Sequence, residues 1–261
     1  RRGLTIFVIG AALKAGDLGA RALLTRVYCL HSRGYIPFNL CQHWLLQFFR
    51  SALVPAQVIF LNGSSSAGKT TLAKHLQTAL PGCWQHMALD HFRDGLPDKY
   101  RGLNAPGDTL GAQGLNVVPV TDGPTPFTKV VFGDAGKALL SGMRRAMRAV
   151  VDAKVNIIID DVLLEPEFLQ DYLTVFNGVN VLFVGVRCDL ASIDAREQQR
   201  PGRFPGTAYG HFKSCHAHGL YDVEVDTGAL SPSDCTQRVE RALQADDNTA
   251  FDRLRAKNAV N

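Results

Sequence analysis

A short apolar strand, a loop and a helix follow one another directly between residues 57 and 80, and this order constrains the fold more than any other feature. The loop reads GSSSAGKT and fits the pattern G-x-x-x-x-G-K-[ST] in full. Its two glycines let the backbone turn sharply and direct its N–H groups inward. The helix behind the loop adds the positive end of its dipole at the same place. The sequence therefore predicts a loop that binds a nucleoside triphosphate.

Two residues at the end of this loop have specific predicted contacts. Lys69 is expected to reach the β- and γ-phosphates, and Thr70 is expected to ligate Mg²⁺. The alternative is a Gly/Ser-rich turn with an incidental lysine, which the flanking strand and helix disfavour. The predicted nucleotide-binding residues are Gly63, Ser64, Ser65, Ser66, Ala67, Gly68, Lys69, Thr70 and Thr71.

The basic character of the chain belongs to its first segment. The formal net charge is +4, of which residues 1–55 carry +6 and residues 56–261 carry −2. The basic residues of the second part are scattered or grouped where a nucleotide would lie, so we predict no nucleic-acid partner for it. The apolar run of residues 4–13 is too short to span a bilayer, and we predict no membrane span.

Residues 1–55 are predicted to be an N-terminal extension. A basic start followed by a short apolar run superficially resembles the core of a signal peptide. We expect a disordered or loosely packed segment, with a docking helix or membrane-surface helix in residues 35–55 as the alternative. Because the chain begins with Arg1 rather than Met, a non-native segment from a reading frame whose true start lies elsewhere is also left open.

Six cysteines are widely spaced and form no C-x-x-C pair. This usage favours a reduced, cytoplasmic protein. Cys215, His216 and His218 lie close together in sequence, but we expect a loop or helix surface there rather than a metal site, and we predict no structural zinc.

From residue 57 onward, short apolar runs alternate with amphipathic helical stretches, as is typical of βαβ units. We predict a P-loop NTPase or kinase domain over residues 56–246, a three-layer α/β/α fold with a five-stranded parallel sheet. A C-terminal tail over residues 247–261 is expected to follow. The predicted strands are 58–62, 85–89, 155–160, 179–186 and 222–226, and the predicted helices are 70–80, 137–153, 166–176, 190–199 and 232–245.

The segment 100–134 interrupts this alternation. It carries glycine and proline repeatedly and lacks a helical period. We predict an inserted loop without regular structure. Its position after the second strand would let it cover an acceptor substrate.

Carboxylates follow two of the predicted strands. Asp160 and Asp161 end the strand 155–160, where an acid holds Mg²⁺ directly or through water; Asp160 is the preferred ligand, and capping of the next helix is the alternative. Asp90 follows the second strand, and ligands of open α/β sheets bind outside the carboxyl ends of the strands. We predict that Asp90 orients an acceptor hydroxyl and takes its proton. His91 is the alternative base, disfavoured because strand alternation would turn it away.

Three arginines lie in or near a predicted helix that ends in a Pro-Gly hinge. Arg196 and Arg200 share one helix face, and Arg203 follows the hinge. Residues 189–206 are therefore predicted to form a lid whose arginines neutralise charge on a transferred group. A solvated charged helix face is the alternative.

Together these motifs resemble the chloramphenicol phosphotransferase-like family, small P-loop kinases related in fold to nucleoside and shikimate kinases. The resemblance implies a five-stranded parallel sheet, ATP and Mg²⁺ as co-substrates, Asp90 as the base, and lid positions for the three arginines. It runs from about residue 58 to residue 239 and is carried by FLNGSSSAGKTTL, LDHF, IIIDDVLL, VGVRCDLASIDAREQQRPGR and YDVEVDTGALSPSDC.

These features predict an ATP-dependent phosphotransferase that acts on a hydroxyl of a small molecule, with a chloramphenicol-like alcohol as the first candidate. Two parts of the chain depart from the family pattern: residues 1–55 have no counterpart, and residues 100–134 do not match one to one. An ATP-dependent switch with a protein partner, or a toxin-like kinase of a nucleotide sugar or other metabolite, stays open as an alternative. A GTPase is disfavoured because the chain has no Asn-Lys-x-Asp element. The oligomeric state is not predicted.

Overall fold

The chain divides into two units, residues 1–55 and residues 56–261. In the first unit, the two-residue strands Leu30–His31 and Gly34–Tyr35 pair antiparallel. The predictions made for the rest of that segment lie outside the described residues. The residues that this computed structural model describes are 30–31, 34–35, 55–122, 125–200 and 204–258.

The second unit alternates strands and helices. Its strands are β1 (Val58–Asn62), β2 (Trp84–Ala88), β3 (Arg101–Leu103), β4 (Leu115–Val120), β5 (Phe127–Phe132), β6 (Asn156–Asp161), β7 (Val181–Arg187) and β8 (Val223–Asp226). Its helices are α1 (Lys69–Ala79), α2 (Leu89–Asp94), a 3-10 turn (Asp98–Tyr100), α3 (Leu110–Gln113), α4 (Asp134–Asp152), α5 (Pro166–Val175), α6 (Leu190–Gln198), α7 (Thr207–Ser214), α8 (Pro232–Ala245) and α9 (Ala250–Asn258). None of these described helices combines the length and apolarity needed to cross a membrane.

Five parallel strands form the central sheet, in the order β8-β7-β1-β6-β2. Strand alternation sends Ile59 and Leu61 into a core that contains side chains of α1, α6 and α8, and it sends Phe60 into a second core that contains side chains of α4, α5 and α9. Strands covered on both faces read as continuous apolar runs, as β1 and β6 do. The predicted three-layer fold with five parallel strands is confirmed.

The prediction of an irregular loop over residues 100–134 is wrong. β3 pairs parallel with β4, and β4 pairs antiparallel with β5, so the insert is a small sheet. Its glycines serve close contacts rather than flexibility: a Cβ on Gly114 would lie 2.0 Å from the Tyr100 carbonyl oxygen. The Asn116 amide holds the turn before α3 by bonding both the N–H and the carbonyl of Ala105. These long-range contacts, rather than a local pattern, stabilise the insert.

The predicted C-terminal tail also has regular structure, because α9 packs on the core. Phe251 is buried, with its ring 6.0 Å from that of Phe60 and 5.2 Å from that of Phe183. The Asp222 carboxylate accepts hydrogen bonds from the N–H groups of Thr249 and Ala250, each 2.8 Å long, at the start of the helix. A short polar helix with few apolar residues gives too weak a periodic signal to separate it from a tail.

A polar cluster lies beside the end of β1. The Asn62 side-chain amide donates to the Cys215 carbonyl at 2.6 Å and to the Tyr221 hydroxyl at 2.7 Å, and it lies 3.3 Å from the Nε2 atom of His218. The surface position expected for this segment is wrong for Cys215, which is buried. Among the described residues, no group of three or more His, Cys, Asp or Glu side chains is arranged to hold a metal ion.

His218 in this cluster, and His216, which contacts the Tyr221 hydroxyl, predict that the folded protein loses stability at acidic pH. Burial, together with the nearby Arg187 charge, lowers the pKa values of His216 and His218 from 6.5 to about 4. Between those pH values the unfolded chain binds protons on these imidazoles and the folded chain does not. The free energy of unfolding is therefore expected to fall as the pH falls from 6.5 towards 4. Denaturant unfolding across this range measures it, and a His216→Gln/His218→Gln variant should show a shallower slope; equal slopes would contradict the assignment.

Candidate active site

The phosphate-binding loop connects β1 to α1 and adopts backbone angles that favour its small residues. Gly68 has φ +93°, in the left-handed region, and Ser66 has φ +61°. Gly63 approaches β7 so closely that a Cβ there would lie 2.4 Å from the Val186 carbonyl oxygen. Larger or branched residues at the two glycine positions would therefore clash or be strained.

The Lys69 side chain is buried within the loop that precedes it. Its ammonium donates to the carbonyl oxygens of Gly63 and Ser64, each at 2.9 Å, and lies 3.9 Å from an oxygen of Asp160. Only 7% of the residue is exposed. The charge is thus held at the mouth of the loop, between the loop backbone and the end of β6.

Asp160, the second-to-last residue of β6, lies beside the first turn of α1. Its Oδ2 atom accepts from the Thr70 hydroxyl at 2.7 Å and lies 3.3 Å from the His86 Nε2 atom. Burial raises the pKa of Asp160, but the His86 hydrogen bond, the Lys69 charge and the Thr70 hydroxyl outweigh burial and lower it below its ordinary value. The structure thus brings the two predicted metal-binding side chains, Thr70 and Asp160, into contact.

Asp161 points to the opposite side of the sheet. It accepts from the Tyr172 hydroxyl at 2.7 Å and from the Val162 N–H at 2.7 Å, and its burial raises its pKa. Helix α5 follows Glu165, and neither Asp160 nor Asp161 provides its cap. The helix-capping alternative for these acids is therefore wrong, and Asp161 anchors α5 through Tyr172.

Asp90 lies in the first turn of α2 rather than at the tip of an extended strand, because the chain becomes helical at Leu89. Its carboxylate accepts from the Arg93 guanidinium at 2.7 Å, and Arg93 also donates to Asp94. The strand-alternation argument against His91 therefore does not apply. His91 instead accepts a hydrogen bond from the Ala88 N–H at 3.2 Å through Nδ1.

One cavity of about 770 Å³ joins the phosphate-binding loop to α2 and the insert. Lys69, Thr70 and Asp160 line one part of it, and Asp90 and His91 line another. An apolar part of its wall belongs to the insert sheet, and the polar side chains of Arg93, Asp94, Arg101, Arg200 and His211 also line the cavity. The residues of this apolar wall are Leu103, Leu115, Val117, Val130 and Phe132.

The predicted lid comprises α6 and the segment after it. Glu197 is buried at the end of α6. It accepts hydrogen bonds from the N–H groups of Gly206 and Ala208, at 2.9 and 2.8 Å, and so connects the end of α6 to the start of α7. Arg200 is exposed and lines the large cavity. Arg203 lies outside the described residues.

Arg196 contacts the loop after β8. Its guanidinium donates to the Thr227 hydroxyl at 3.0 Å and to the Thr227 carbonyl at 2.8 Å, and the same hydroxyl donates to the Ala67 carbonyl at 2.7 Å. A second cavity of about 370 Å³ adjoins these residues and the start of α1. Residues lining it include Gly68, Thr71, Arg196, Arg200, Leu230 and Cys235.

The insert contacts the lid directly. The Thr128 hydroxyl donates to the Pro205 carbonyl at 2.8 Å, and the Thr128 N–H donates to the Gly206 carbonyl at 3.3 Å. A Cβ on Gly210, in α7, would lie 2.6 Å from the Thr128 carbonyl oxygen. The insert and the predicted lid are therefore joined by hydrogen bonds and lie in close contact.

Sequence reasoning missed several residues of this region. His86 had a detectable signal, because it is a polar residue on the same strand face as the buried residues Trp84 and Ala88. Thr227 and Glu197 gave none, because their roles depend on contacts with residues distant in the sequence. The apolar wall was missed because the insert was interpreted as a loop.

A loop with the G-x-x-x-x-G-K-[ST] pattern and an adjacent acid in β6, on a parallel sheet, define a P-loop phosphotransferase of the kinase type. The chain belongs to the chloramphenicol phosphotransferase-like protein family, whose model matches residues 56–244.

Relatives and solved structures agree with this assignment. Two proteins from strains of Mycobacterium tuberculosis, named provisionally as O-phosphotransferases, are each 34% identical over 209 residues, which cover 77% of this chain and 88% of theirs. The APS kinase of Mycobacterium tuberculosis, solved with AMPPNP and APS, aligns with a TM-score of 0.50 and 14% identity over 73% of this chain and 98% of its own. At that identity the likeness extends to the fold alone.

Proposed function

We propose that this protein transfers the γ-phosphoryl group of ATP to a hydroxyl of a small molecule, with a chloramphenicol-like alcohol as the first candidate. The observation that carries the proposal is the single cavity in which the phosphate-binding loop, Asp90 and an apolar wall meet. A donor and an acceptor can thus occupy adjacent parts of one space, which is the requirement for direct transfer.

On the donor side, the loop N–H groups and the Lys69 ammonium would bind the β- and γ-phosphates. Thr70 and Asp160 present oxygen atoms, the ligands that Mg²⁺ prefers, so the donor set fits the ion that the fold implies. When bound, Mg²⁺ neutralises charge on the phosphates. The second cavity, beside Arg196 and Thr227, is of a size and position to hold the nucleotide base.

On the acceptor side, Asp90 would orient the acceptor hydroxyl and accept its proton as the phosphoryl group transfers. Arg93, bonded to both Asp90 and Asp94, fixes the carboxylate on α2. The apolar wall formed by Leu103, Leu115, Val117, Val130 and Phe132 suits an acceptor with an apolar body.

The lid arginines have separate proposed roles. Arg200, which lines both cavities, would neutralise charge on the migrating group, and the same role is proposed for Arg203. Arg196, bonded to Thr227, would shape the base pocket. A cytoplasmic setting supplies ATP and suits the free thiols of Cys83, Cys188, Cys215 and Cys235.

The test is transfer of label from γ-labelled ATP to a panel of acceptors. The panel contains chloramphenicol, related aromatic alcohols, sugars and nucleotide sugars, with each acceptor also present in a form whose hydroxyl is blocked. We expect label on an uncharged aromatic alcohol and none on its blocked form. Label on nucleotide sugars would favour the toxin-like alternative. ATP hydrolysis that only a protein partner stimulates, without any labelled acceptor, would favour a regulatory switch.

A further inference from the structure

His86 contacts the proposed metal-binding acid, and the roles assigned so far do not use it. Its Nε2 atom lies 3.3 Å from Asp160 Oδ2, the same oxygen that accepts from the Thr70 hydroxyl at 2.7 Å. The imidazole is 10% exposed and lines the large cavity. A nitrogen and two oxygens from three different elements therefore meet at one point beside the phosphate-binding loop.

The strand register explains this convergence. In the parallel pair of β2 and β6, His86 is opposite Ile158 and Ala88 is opposite Asp160. Trp84 and Ile158 belong to the core on the α1 side of the sheet, so alternation also directs His86 and Asp160 to that side. Thr70, in the first turn of α1, meets them there.

The distances from Asp160 Oδ2 to the other two donor atoms resemble those between neighbouring ligands. Adjacent ligands of an octahedral ion with bonds of about 2.1 Å lie about 3 Å apart. The separations from Asp160 Oδ2 to Thr70 Oγ1 and to His86 Nε2, 2.7 and 3.3 Å, lie on either side of that value. The hydrogen bond between His86 and this oxygen holds the imidazole beside the proposed metal position.

We propose that His86 is a third protein ligand of the divalent ion, beside Thr70 and Asp160, and that the site therefore binds Mn²⁺ in preference to Mg²⁺. The inference rests on the proposed function, because the ion is the one that accompanies the nucleotide. As a ligand, the imidazole carries its proton on Nδ1 and offers Nε2 to the ion.

The chemistry of the donor atoms explains why Mn²⁺ is preferred over Mg²⁺. Mg²⁺ favours oxygen ligands and retains its waters, so an imidazole nitrogen adds little to its affinity. Mn²⁺ also accepts carboxylate and water ligands. As a first-row transition ion it is softer than Mg²⁺ and gains more from a nitrogen ligand. Replacing a ligand water by His86 should therefore strengthen binding of Mn²⁺ more than binding of Mg²⁺.

The direct test is pulsed EPR of Mn²⁺ bound to the wild-type protein with ADP. Protein labelled with ¹⁵N only at histidine separates a histidine nitrogen from the nitrogens of the adenine ring. We expect a hyperfine coupling to ¹⁵N from a directly bonded imidazole. A spectrum of bound Mn²⁺ without that coupling would overturn the proposal, and this result needs no variant that could fail to fold.

Variants then identify the histidine. In His86→Asn the nitrogen coupling should disappear and the Mn²⁺ affinity of the ADP complex should fall about tenfold or more, while the affinity for Mg²⁺ changes much less. His75→Asn, which removes an exposed histidine of α1, is the matched control and should behave as wild type. A coupling that persists in His86→Asn, or an equal loss of affinity for both ions, would contradict the assignment.

Label transfer from ATP, measured on the same samples, separates this inference from the proposed function. Intact transfer without a histidine coupling overturns the ligand role of His86 alone. Failure of the protein to bind either metal–nucleotide complex overturns both proposals.

Discussion

Replacing Lys69 with alanine is expected to lower the rate of phosphoryl transfer by a factor on the order of 10²–10³, the cost of removing one preorganised charged donor from a transition state. The ammonium is buried, held by two loop carbonyls and placed near Asp160, so bulk water cannot replace it effectively. The measurement is turnover with saturating ATP and the acceptor that the label-transfer panel identifies.

Lys74 provides the matched control, because it is an exposed lysine of the same helix. Lys74→Ala should keep wild-type turnover, and thermal unfolding of both variants shows whether the loop still folds. Near wild-type turnover in a folded Lys69→Ala protein would show that the loop does not act on a transferred phosphoryl group.

Replacing Asp90 with asparagine is expected to lower turnover by about 10²–10⁴, the range for loss of a general base. Asparagine has nearly the same shape and can still accept a bond from Arg93, but it cannot take the proton of an acceptor hydroxyl. ATP is proposed to occupy the other part of the cavity, so its affinity should be unchanged. The loss should therefore be confined to turnover. Binding of a fluorescent ATP analogue and acceptor-dependent turnover measure the two quantities separately.

Asp94→Asn is the control for this substitution, because Asp94 lies on the same helix and shares Arg93 as its partner. Its effect on turnover should be small. Full activity in Asp90→Asn, with ATP binding intact, would transfer the role to His91 or remove it from the mechanism.

Features that depend on local pattern could be predicted from the sequence. Strands β1 and β6 are continuous apolar runs buried on both faces, and α8 has a strong amphipathic period, so their types and approximate bounds were predictable. The phosphate-binding loop was predictable because its chemistry requires glycine, lysine and a hydroxyl at fixed spacing. The same loop, together with the acid at the end of β6, indicated the donor half of the site.

Features that depend on long-range contacts could not be predicted. The insert sheet pairs short strands around glycines whose close contacts only the folded chain shows, and Asp90 lies in a helix too short for a periodic signal. Arg196 lies in α6, but α6 ends at Gln198, so the prediction that Arg200 shares its helix face is wrong. The partner of Arg196, Thr227, is 31 residues away in sequence. Sequence spacing placed these residues in the correct region but could not give their partners.

The hydrogen bonds from Thr128 to Pro205 and Gly206 have a consequence for ATP hydrolysis in the absence of an acceptor. We expect an acceptor with an apolar body to contact the insert. Because the insert is hydrogen-bonded to the predicted lid, binding of that acceptor would help to close the lid over the phosphates. A water molecule makes no such contact with the insert and contributes nothing to seating the lid. We therefore expect these hydrogen bonds to favour phosphoryl transfer to an acceptor over hydrolysis of ATP, most strongly for the acceptors that fill the apolar wall best.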